Sequence, residues 1–354
     1  MDNGGVTTIN AGTMITLDDI RQAQSRLDGV AARTPLIRYY GPLVTAQEPS
    51  TRLLQIYFKP ESLQPIGSFK LRGAYNKVAS LTVEERSRGI ISYSSGNHAQ
   101  GVAYAARAME VKCVIVMPEN APQIKVESTR ALGAEIVFVG PASSARLAKA
   151  EALAREFGYA IISPYNDLQI IAGQGTAGLE ILADLPDVDL VLVPVGGGGL
   201  ISGVAAAVKL SGSKAKVVGV EPALANDAQQ SLRAGEIIQL TADQVSRTLA
   251  DGLRTQSIGQ HNFEHIREYV HDIITVSEEE IRVAVRLLAT NARIVAEPSG
   301  AVTFAALSFH LTVLPTFRKA VAIISGGNIE SALLAEILMG GDEKMRAVQR
   351  LNQQ

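Results

Sequence analysis

The chain has 354 residues, which is enough for two domains at roughly 100–200 residues per domain. Apolar residues make up 47% of it and charged residues 19%, a balance that excludes an intrinsically disordered protein. Lys and Arg number 33 against 35 Asp and Glu, for a formal net charge of −2, and no basic run indicates a nucleic-acid or membrane surface. We therefore expect a small-molecule partner.

Short β-branched runs alternate with segments of helical periodicity along most of the chain. The predicted strands are Leu53–Phe58, Ile90–Tyr93, Cys113–Met117, Glu135–Val139, Leu190–Val195, Val217–Val220, Ile273–Val276 and Ala320–Ile324. The predicted helices are Asp18–Leu27, His98–Ala108, Ser143–Phe157, Gly173–Leu182, Leu200–Leu210, Ser277–Ala289 and Gly300–His310. Such alternation is typical of βαβ units, and strands that are apolar nearly throughout are typical of buried parallel sheets. The sequence therefore predicts an α/β fold.

The N-terminus and the cysteine content bear on cellular location. Residues 1–15 have neither the basic start nor the apolar core of a signal peptide, so we expect a flexible tail there. No run of about 18 apolar residues predicts a membrane span. The single cysteine, Cys113, excludes an intrachain disulfide framework and a cysteine-based metal cluster. These features favour a cytoplasmic protein.

Four consecutive glycines, Gly196, Gly197, Gly198 and Gly199, join a predicted strand to a predicted helix. Without Cβ atoms, their backbone N–H groups can converge on an anion, and the helix start adds a favourable dipole. No Gly-Lys-Ser/Thr follows, so the segment is not a Walker A loop. It indicates either a phosphate-binding loop or a tight strand–helix turn.

Lys70 lies beside Phe69, after a Gly-Ser turn that can start a helix. A lysine at a helix start has its ammonium form disfavoured, as an imine-forming amine requires. A solvated surface lysine is the common alternative.

Further along, the segment Ser94–Gly101 follows a predicted strand and offers hydroxyl, amide and N–H groups that suit a carboxylate. Capping of a helix by Ser94 or Ser95 explains that segment equally well.

Taken together, these segments resemble the fold-type II pyridoxal-phosphate enzymes, most closely the serine/threonine dehydratase and serine racemase group. The motifs GSFKLRGA, SSGNHAQG, VPVGGGGLISG and ISGGN occur in the order typical of that group. The resemblance implies a two-domain fold like that of the tryptophan synthase β chain, with mostly parallel sheets flanked by helices. It implies a large cofactor-binding domain (16–88 and 167–354), a small mobile domain (89–166) and a homodimer.

The resemblance also implies roles for individual residues. Lys70 would hold pyridoxal phosphate as a Schiff base, with Phe69 beside the ring. The other implied cofactor contacts are Asn97 at the ring hydroxyl, Ser325 at the pyridine nitrogen, and Gly196, Gly197, Gly198 and Gly199 at the phosphate. The substrate carboxylate would be received by Ser94, Asn97 and His98, and Ser95 would stand opposite Lys70 as a second catalytic residue.

A serine at the pyridine nitrogen has a chemical consequence. Its hydroxyl cannot stabilise a pyridinium as a carboxylate would, so the ring stays largely neutral. A weaker electron sink favours prompt loss of a β-substituent over transamination. The expected reaction is the dehydration and deamination of L-threonine or L-serine to a 2-oxo acid and ammonia.

The segment Glu221–Asp227 resembles the loop that holds a divalent cation in the racemase and related dehydratases. It implies Mg²⁺ or Mn²⁺ bound by Glu221, the Ala225 carbonyl and Asp227, which are the oxygen ligands these ions prefer. Asn226 stands where some relatives have an acid. Apart from the resemblance, an ordinary polar turn explains the segment.

Three more residues have lesser expected roles. Glu297, in the stretch Glu297-Pro298-Ser299-Gly300, matches a family segment near the active site, but a carboxylate placed at a helix start explains it equally well. Arg72 is expected to form an ion pair without a catalytic part. Asp251 lies in a turn that resembles one near the cofactor.

Other functions stay open on the sequence alone. Serine racemisation would use Lys70 and Ser95 on opposite faces of the cofactor. A 3-hydroxyaspartate or hydroxyectoine-pathway dehydratase would need the same residues, and a catalytically silent amino-acid-binding protein would keep the same scaffold. Only 26 residues follow Asn328, so we expect no appended regulatory domain; nucleotide effectors stay open.

Overall fold

The computed structural model describes residues 14–44, 54–94, 96–121, 123–140 and 143–340. The strands in these ranges are β1 (Ile37–Tyr39), β2 (Gln55–Pro60), β3 (Ile90–Tyr93), β4 (Cys113–Pro118), β5 (Glu135–Val139), β6 (Ala160–Ile161), β7 (Leu190–Pro194), β8 (Lys216–Pro222), β9 (Asp272–Val276) and β10 (Lys319–Ile324). The helices are α1 (Leu17–Leu27), α2 (Lys70–Ser80), α3 (Val83–Arg88), α4 (Asn97–Ala108), α5 (Gln123–Ala131), α6 (Ser143–Phe157), α7 (Leu168–Asp184), α8 (Gly199–Leu210), α9 (Asp227–Ala234), α10 (Ala242–Ser246), α11 (Gln260–Tyr269), α12 (Glu278–Leu287), α13 (Pro298–Phe309) and α14 (Ser331–Met339). The predicted α/β class is confirmed.

The larger sheet has the strand order β1-β2-β10-β7-β8-β9, and β1, which pairs antiparallel with β2, is its exception to parallel pairing. Alternate residues of β7 face opposite sides: Leu190 and Leu192 pack into one apolar layer, and Val191 and Val193 into another. Helices cover both faces, because a parallel sheet is stable only when both sides are buried. This explains why its strands are apolar nearly throughout.

The strand order places the functional segments together. The segments that follow β2, β10 and β7 lead to Lys70, Ser325 and Gly196, and Glu221 lies near the carboxyl end of β8. These four strands are parallel neighbours. Ligands of open parallel sheets bind beyond the carboxyl ends of the strands, where loops from neighbouring strands meet. The topology therefore brings together residues that are far apart in the sequence.

The smaller sheet is parallel throughout, with the order β5-β4-β3-β6. Its strands lie between residues 90 and 161, inside the range predicted for the small domain. Helix α2 packs against both α4 and α7, so it contacts one helix inside this segment and one that follows it. The division into two domains that move separately stays a prediction.

Four charged side chains that lie buried together anchor the start of α2. Arg72 bonds Glu61 through Nε (2.7 Å) and Glu180 through a terminal nitrogen (2.7 Å). Lys59 Nζ donates to Glu180 and to the carbonyl of Thr34, each at 2.5 Å. Every charge thus has an opposite partner, which the burial of ions requires. The expected ion-pair role of Arg72 is confirmed.

The predicted strands agree with the structure to within two residues at each described end; residue 53 lies outside the described ranges. Two short strands, β1 and β6, were not predicted, because strands of three and two residues leave no periodic pattern.

Helix α7 begins five residues before its predicted start at Gly173, because Asp167 caps it by accepting from the amides of Gln169 and Ile170. Ile15, placed in the predicted tail, is buried, and its amide donates to His265.

Candidate active site

Lys70 is the first residue of α2, and its ammonium is held inside the protein. Its Nζ donates to the carbonyl of Pro164 at 2.8 Å and lies 5.3 Å from the centroid of the Phe69 ring. Burial lowers the pKa of Lys70 to about 8, and the negative charge of Glu297 opposes part of this shift. A substantial fraction of the amine is therefore neutral near physiological pH, as a nucleophile or a general base requires.

Two segments after β2 and β10 hold each other beside Lys70. The Phe69 amide donates to the carbonyl of Ser325 at 3.0 Å, and Ser68 forms a β-bridge with Gly326. Ser325 is buried, and its hydroxyl has no hydrogen-bond partner within the described ranges. The buried hydroxyl of Ser68 is also unpartnered. Since buried polar groups are normally satisfied, these hydroxyls fit a polar ring such as pyridine.

The tetraglycine loop leads from β7 into α8. Gly198 has a φ of +94°, a left-handed conformation that glycine adopts without strain. The amides of Gly196, Gly197 and Gly198 donate to no acceptor in the described part of the chain. Consecutive unpaired amides at a helix start are typical of anion sites. The loop therefore fits a phosphate group.

Asn97 connects the start of α4 to the larger sheet. Its Nδ2 donates to Glu297 at 2.7 Å, and its Oδ1 accepts from Asn328 at 2.8 Å. Burial, together with the negative charge of Asp251, raises the pKa of Glu297 to about 8. The Glu297 side chain forms no capping hydrogen bond with α13. Glu297 does stand at the start of α13, as the helix-start explanation expects, and its side chain accepts from Asn97 as well.

The segment predicted to bind a carboxylate is described in part. Ser94 Oγ accepts from the amide of Gly96 at 3.3 Å, and Ser95 lies outside the described residues. His98 is buried, with Nε2 at 3.2 Å from the carbonyl of Ile162, and burial and the charge of Lys70 lower its pKa to about 3. A neutral, buried imidazole attracts a carboxylate only weakly. The amides at the start of α4 are the better donors.

The acidic loop, which runs from Glu221 near the end of β8 to Asp227 at the start of α9, contains two buried carboxylates. Glu221 accepts from the amides of Ala228 and Gln229 at 3.1 and 2.8 Å, whereas neither oxygen of Asp227 has a hydrogen-bond partner. Burial raises the pKa of Asp227 to about 7, and burial and Asp227 raise that of Glu221. No cluster of three or more His, Cys, Asp or Glu side chains in the described ranges is arranged to hold a metal.

The structure also shows site contacts that the sequence analysis missed. The Pro164 carbonyl, which binds Lys70, and Asn328, which binds Asn97, had been given no role. A backbone carbonyl has no residue signature, so only the fold could reveal the contact of Pro164 with Lys70.

Among the described helices, none is long and apolar enough to span a bilayer.

Comparisons with known proteins agree with this geometry. A family model described as "Pyridoxal-phosphate dependent enzyme" matches residues 31–326. The L-threonine ammonia-lyase of Thermotoga maritima is 44% identical over 93% of this chain and 79% of its own length. The L-threo-3-hydroxyaspartate ammonia-lyase of Saccharomyces cerevisiae is 39% identical, over 93% of this chain and 98% of its own.

A solved structure extends the similarity to the fold. The crystal structure of the serine racemase of Dictyostelium discoideum superposes with a TM-score of 0.80, at 37% identity, over 90% of this chain and all of that one. The family match covers both sheets, the lysine that begins α2 and the tetraglycine loop. The chain therefore belongs to the family of pyridoxal-phosphate dependent enzymes.

Proposed function

We propose that this protein is a pyridoxal-phosphate-dependent ammonia-lyase that converts L-threonine or L-serine to a 2-oxo acid and ammonia. The observation that carries the proposal is Lys70, whose amine has a pKa lowered to about 8. Its neighbour Phe69 is hydrogen-bonded to the carbonyl of Ser325, whose hydroxyl has no partner in the described residues. The relatives named as ammonia-lyases, at 44% and 39% identity, support this class of reaction.

Each residue has a specific task in this reaction. When bound, pyridoxal phosphate supplies electron withdrawal from the α-carbon of the substrate. Lys70, in its neutral form, removes the proton from that carbon. The unpaired amides of Gly196, Gly197 and Gly198 would hold the cofactor phosphate, and Ser325 would offer the pyridine ring a neutral hydroxyl. That neutral partner favours departure of the β-hydroxyl over transamination.

The start of α4 would orient the substrate. Its amides, with Ser94 and Asn97, form the proposed carboxylate site, and Asn97 is itself held by Glu297 and Asn328. Once the substrate carboxylate is held, the bond between the α-carbon and its hydrogen has a set orientation toward Lys70. A reaction is faster when the base and the bond that it attacks are positioned in this way. Ser95 is the proposed residue on the opposite face.

Serine racemisation is the second candidate function. The similarity to the Dictyostelium discoideum racemase supports it, as does the placement of Ser95 opposite Lys70 that the sequence motif predicts. An L-threo-3-hydroxyaspartate substrate is a third possibility, supported by the yeast relative. Both reactions would begin with the same proton removal by Lys70, so the substrate and the fate of the α-carbon distinguish them.

A panel assay distinguishes the three. The cofactor-loaded protein is offered L-threonine, L-serine, D-serine and 3-hydroxyaspartate, and both 2-oxo acid release and the enantiomer of the remaining substrate are followed. Rapid oxo-acid release from L-threonine or L-serine is the expected result. D-serine accumulation that outpaces pyruvate would establish a racemase, and preference for 3-hydroxyaspartate would establish the third function.

We also propose that a divalent cation, Mg²⁺ or Mn²⁺, binds at Glu221, the Ala225 carbonyl and Asp227. Two unpartnered oxygens on the buried Asp227 support this proposal, since a cation would supply the charge they lack. The Ala225 carbonyl accepts no hydrogen bond in the described part of the chain. Paramagnetic resonance of Mn²⁺ titrated into the protein tests this, with Asp227→Asn expected to abolish binding.

Three further proposals rest on the family resemblance. They are a homodimer, a cytoplasmic location, and a small domain (89–166) that closes over the large one during turnover. Sedimentation at several protein concentrations tests the first. Small-angle scattering with and without a bound substrate analogue tests the last, since closure would reduce the radius of gyration.

A further inference from the structure

Tyr165 lies against the tetraglycine loop, one residue after the carbonyl that binds Lys70. It belongs to the turn between β6 and α7. A Cβ built at Gly197 would lie 2.2 Å from Cδ1 and 2.3 Å from Cγ of the tyrosine ring. A Cβ built at Gly199 would lie 3.2 Å from the Tyr165 Cβ. One short turn therefore contacts both the amine of Lys70 and the loop that would hold the phosphate.

Hydrogen bonds from α11 and from the turn itself hold Tyr165 in place. Its carbonyl accepts from the side chain of Asn262 at 3.3 Å and from the amide of Asp167 at 3.0 Å. Asn166 accepts from the amide of His261 at 3.0 Å, which ties the same turn to α11. The amide of Gly259, just before α11, donates to the carbonyl of Gly197 at 3.3 Å. The ring and the loop thus share one support.

We propose that Tyr165 is a positioning residue that sets the distance between the Lys70 amine and the phosphate-binding loop. Pyridoxal phosphate joins its aldehyde carbon to its phosphate through a rigid ring and a short linker, so the distance between its two anchored groups varies only within narrow limits. A loop displaced from Lys70 can therefore satisfy one end of the cofactor only at the expense of the other. The inference rests on the proposed role of Gly196, Gly197 and Gly198 in binding the phosphate.

The ring, and not the hydroxyl, makes the contact with the loop. The hydroxyl points away, toward the carbonyl of Ser257 at 3.5 Å, which is a weak hydrogen bond. Burial raises the pKa of Tyr165 to about 12, so this group stays neutral. Phenylalanine should therefore replace tyrosine at this position without loss, whereas alanine should not.

The first test compares Tyr165→Ala, Tyr165→Phe and a matched control, Tyr159→Ala, whose ring stacks on Phe157 in the smaller sheet's layer. The dissociation constant of pyridoxal phosphate, its absorbance maximum and the unfolding midpoint of the cofactor-free chain are measured. We expect Tyr165→Ala to weaken cofactor binding about tenfold, within the range of coupled neighbours, and to shift the absorbance maximum. Tyr165→Phe and Tyr159→Ala should match the wild type.

The second test changes the loop side of the contact between Gly197 and Tyr165. Gly197→Ala places a methyl group into the tyrosine ring and should weaken cofactor binding about tenfold or more, while Gly140→Ala, where a Cβ meets nothing within 4 Å, should not. In the double variant with Tyr165→Ala the closest ring atoms are gone. We expect the double variant to bind the cofactor no more weakly than Tyr165→Ala alone, as for two residues that act through one contact.

The possible outcomes distinguish the positioning role of Tyr165 from the proposed binding of phosphate by the tetraglycine loop. Wild-type cofactor affinity in Tyr165→Ala, or a double variant whose defect equals the product of the two single defects, would overturn it. Inorganic phosphate is added as a competitor of pyridoxal phosphate with the wild-type protein. Failure of phosphate to compete would remove the phosphate role of the loop and this inference together, whereas competition with an unaffected Tyr165→Ala would remove the inference alone.

Discussion

Two groups of buried polar residues in the molecule differ in one respect. In the first, Lys59, Glu61, Arg72 and Glu180 each meet an opposite charge. In the second, the hydroxyls of Ser68 and Ser325, three amides of the tetraglycine loop and both oxygens of Asp227 meet no partner in the described residues. Since a buried polar group without a partner costs free energy, the first group is satisfied within the fold, whereas the second fits the ligands proposed above.

The largest expected effect is at Lys70, which directly follows the segment that is hydrogen-bonded to Ser325. Lys70→Ala removes the amine that the site holds with a lowered pKa, and we expect catalytic turnover to fall by at least about 10²–10⁴-fold, the range for loss of a general base. The covalent absorbance band of the bound cofactor should vanish as well. Steady-state assays and absorbance spectra measure the two effects. An active variant that keeps the band would refute the assignment of Lys70.

The paired group should respond through stability. Arg72→Met leaves Glu61 and Glu180 buried without their shared cation, and we expect the free energy of unfolding to fall by about 3–5 kcal/mol. Denaturant titration measures this. The matched control is Arg21→Met, which removes an exposed ion pair with Asp18 and should change stability by less than about 1 kcal/mol. Equal effects of the two variants would contradict the distinction drawn above.

The pKa of Lys70 predicts a pH dependence for cofactor capture. Only the neutral amine attacks a carbonyl, so the rate at which cofactor-free protein binds pyridoxal phosphate should rise about tenfold per pH unit and level off above about pH 8. Stopped-flow absorbance measures this rate. Glu297→Gln removes the carboxylate that opposes the shift, so the break should move to lower pH. A break unchanged by that substitution would contradict the proximity of the two charges.

The smallest effect concerns the acidic loop without a cation. The pKa of Asp227 is raised to about 7, so the folded state binds more protons than the unfolded state between about pH 4 and 7. Stability should therefore fall as pH rises through this window, by at most about 1.4 kcal/mol per pH unit for this group. Thermal unfolding with a chelator present should show the slope. Asp227→Asn should flatten it, and added Mn²⁺ should reverse it in the wild type.

The sequence predicted the sheet strands well, because buried parallel strands are apolar runs that stand out. It predicted Lys70, the tetraglycine loop and Asn97 as site residues through ordered motifs, and the structure gives each of them a geometry that fits. It did not predict Pro164 or Tyr165, which act through a carbonyl and the flat side of a ring. Such roles depend on which turn the fold brings near, and a local pattern does not carry that information. Glu297 lies at the start of α13, as predicted, whereas its hydrogen bond with Asn97 was not predicted.

The position of β10 in the larger sheet has a consequence for biosynthesis. This strand is among the last described elements of the chain, yet it pairs with β2 on one side and β7 on the other. A ribosome therefore releases β2, Lys70 and the tetraglycine loop long before the strand that joins them exists, and pairings so distant in sequence form slowly. Cofactor capture at the proposed site must wait until β10 has emerged, and during that interval the apolar edges of β2 and β7 are exposed to chaperones and to aggregation.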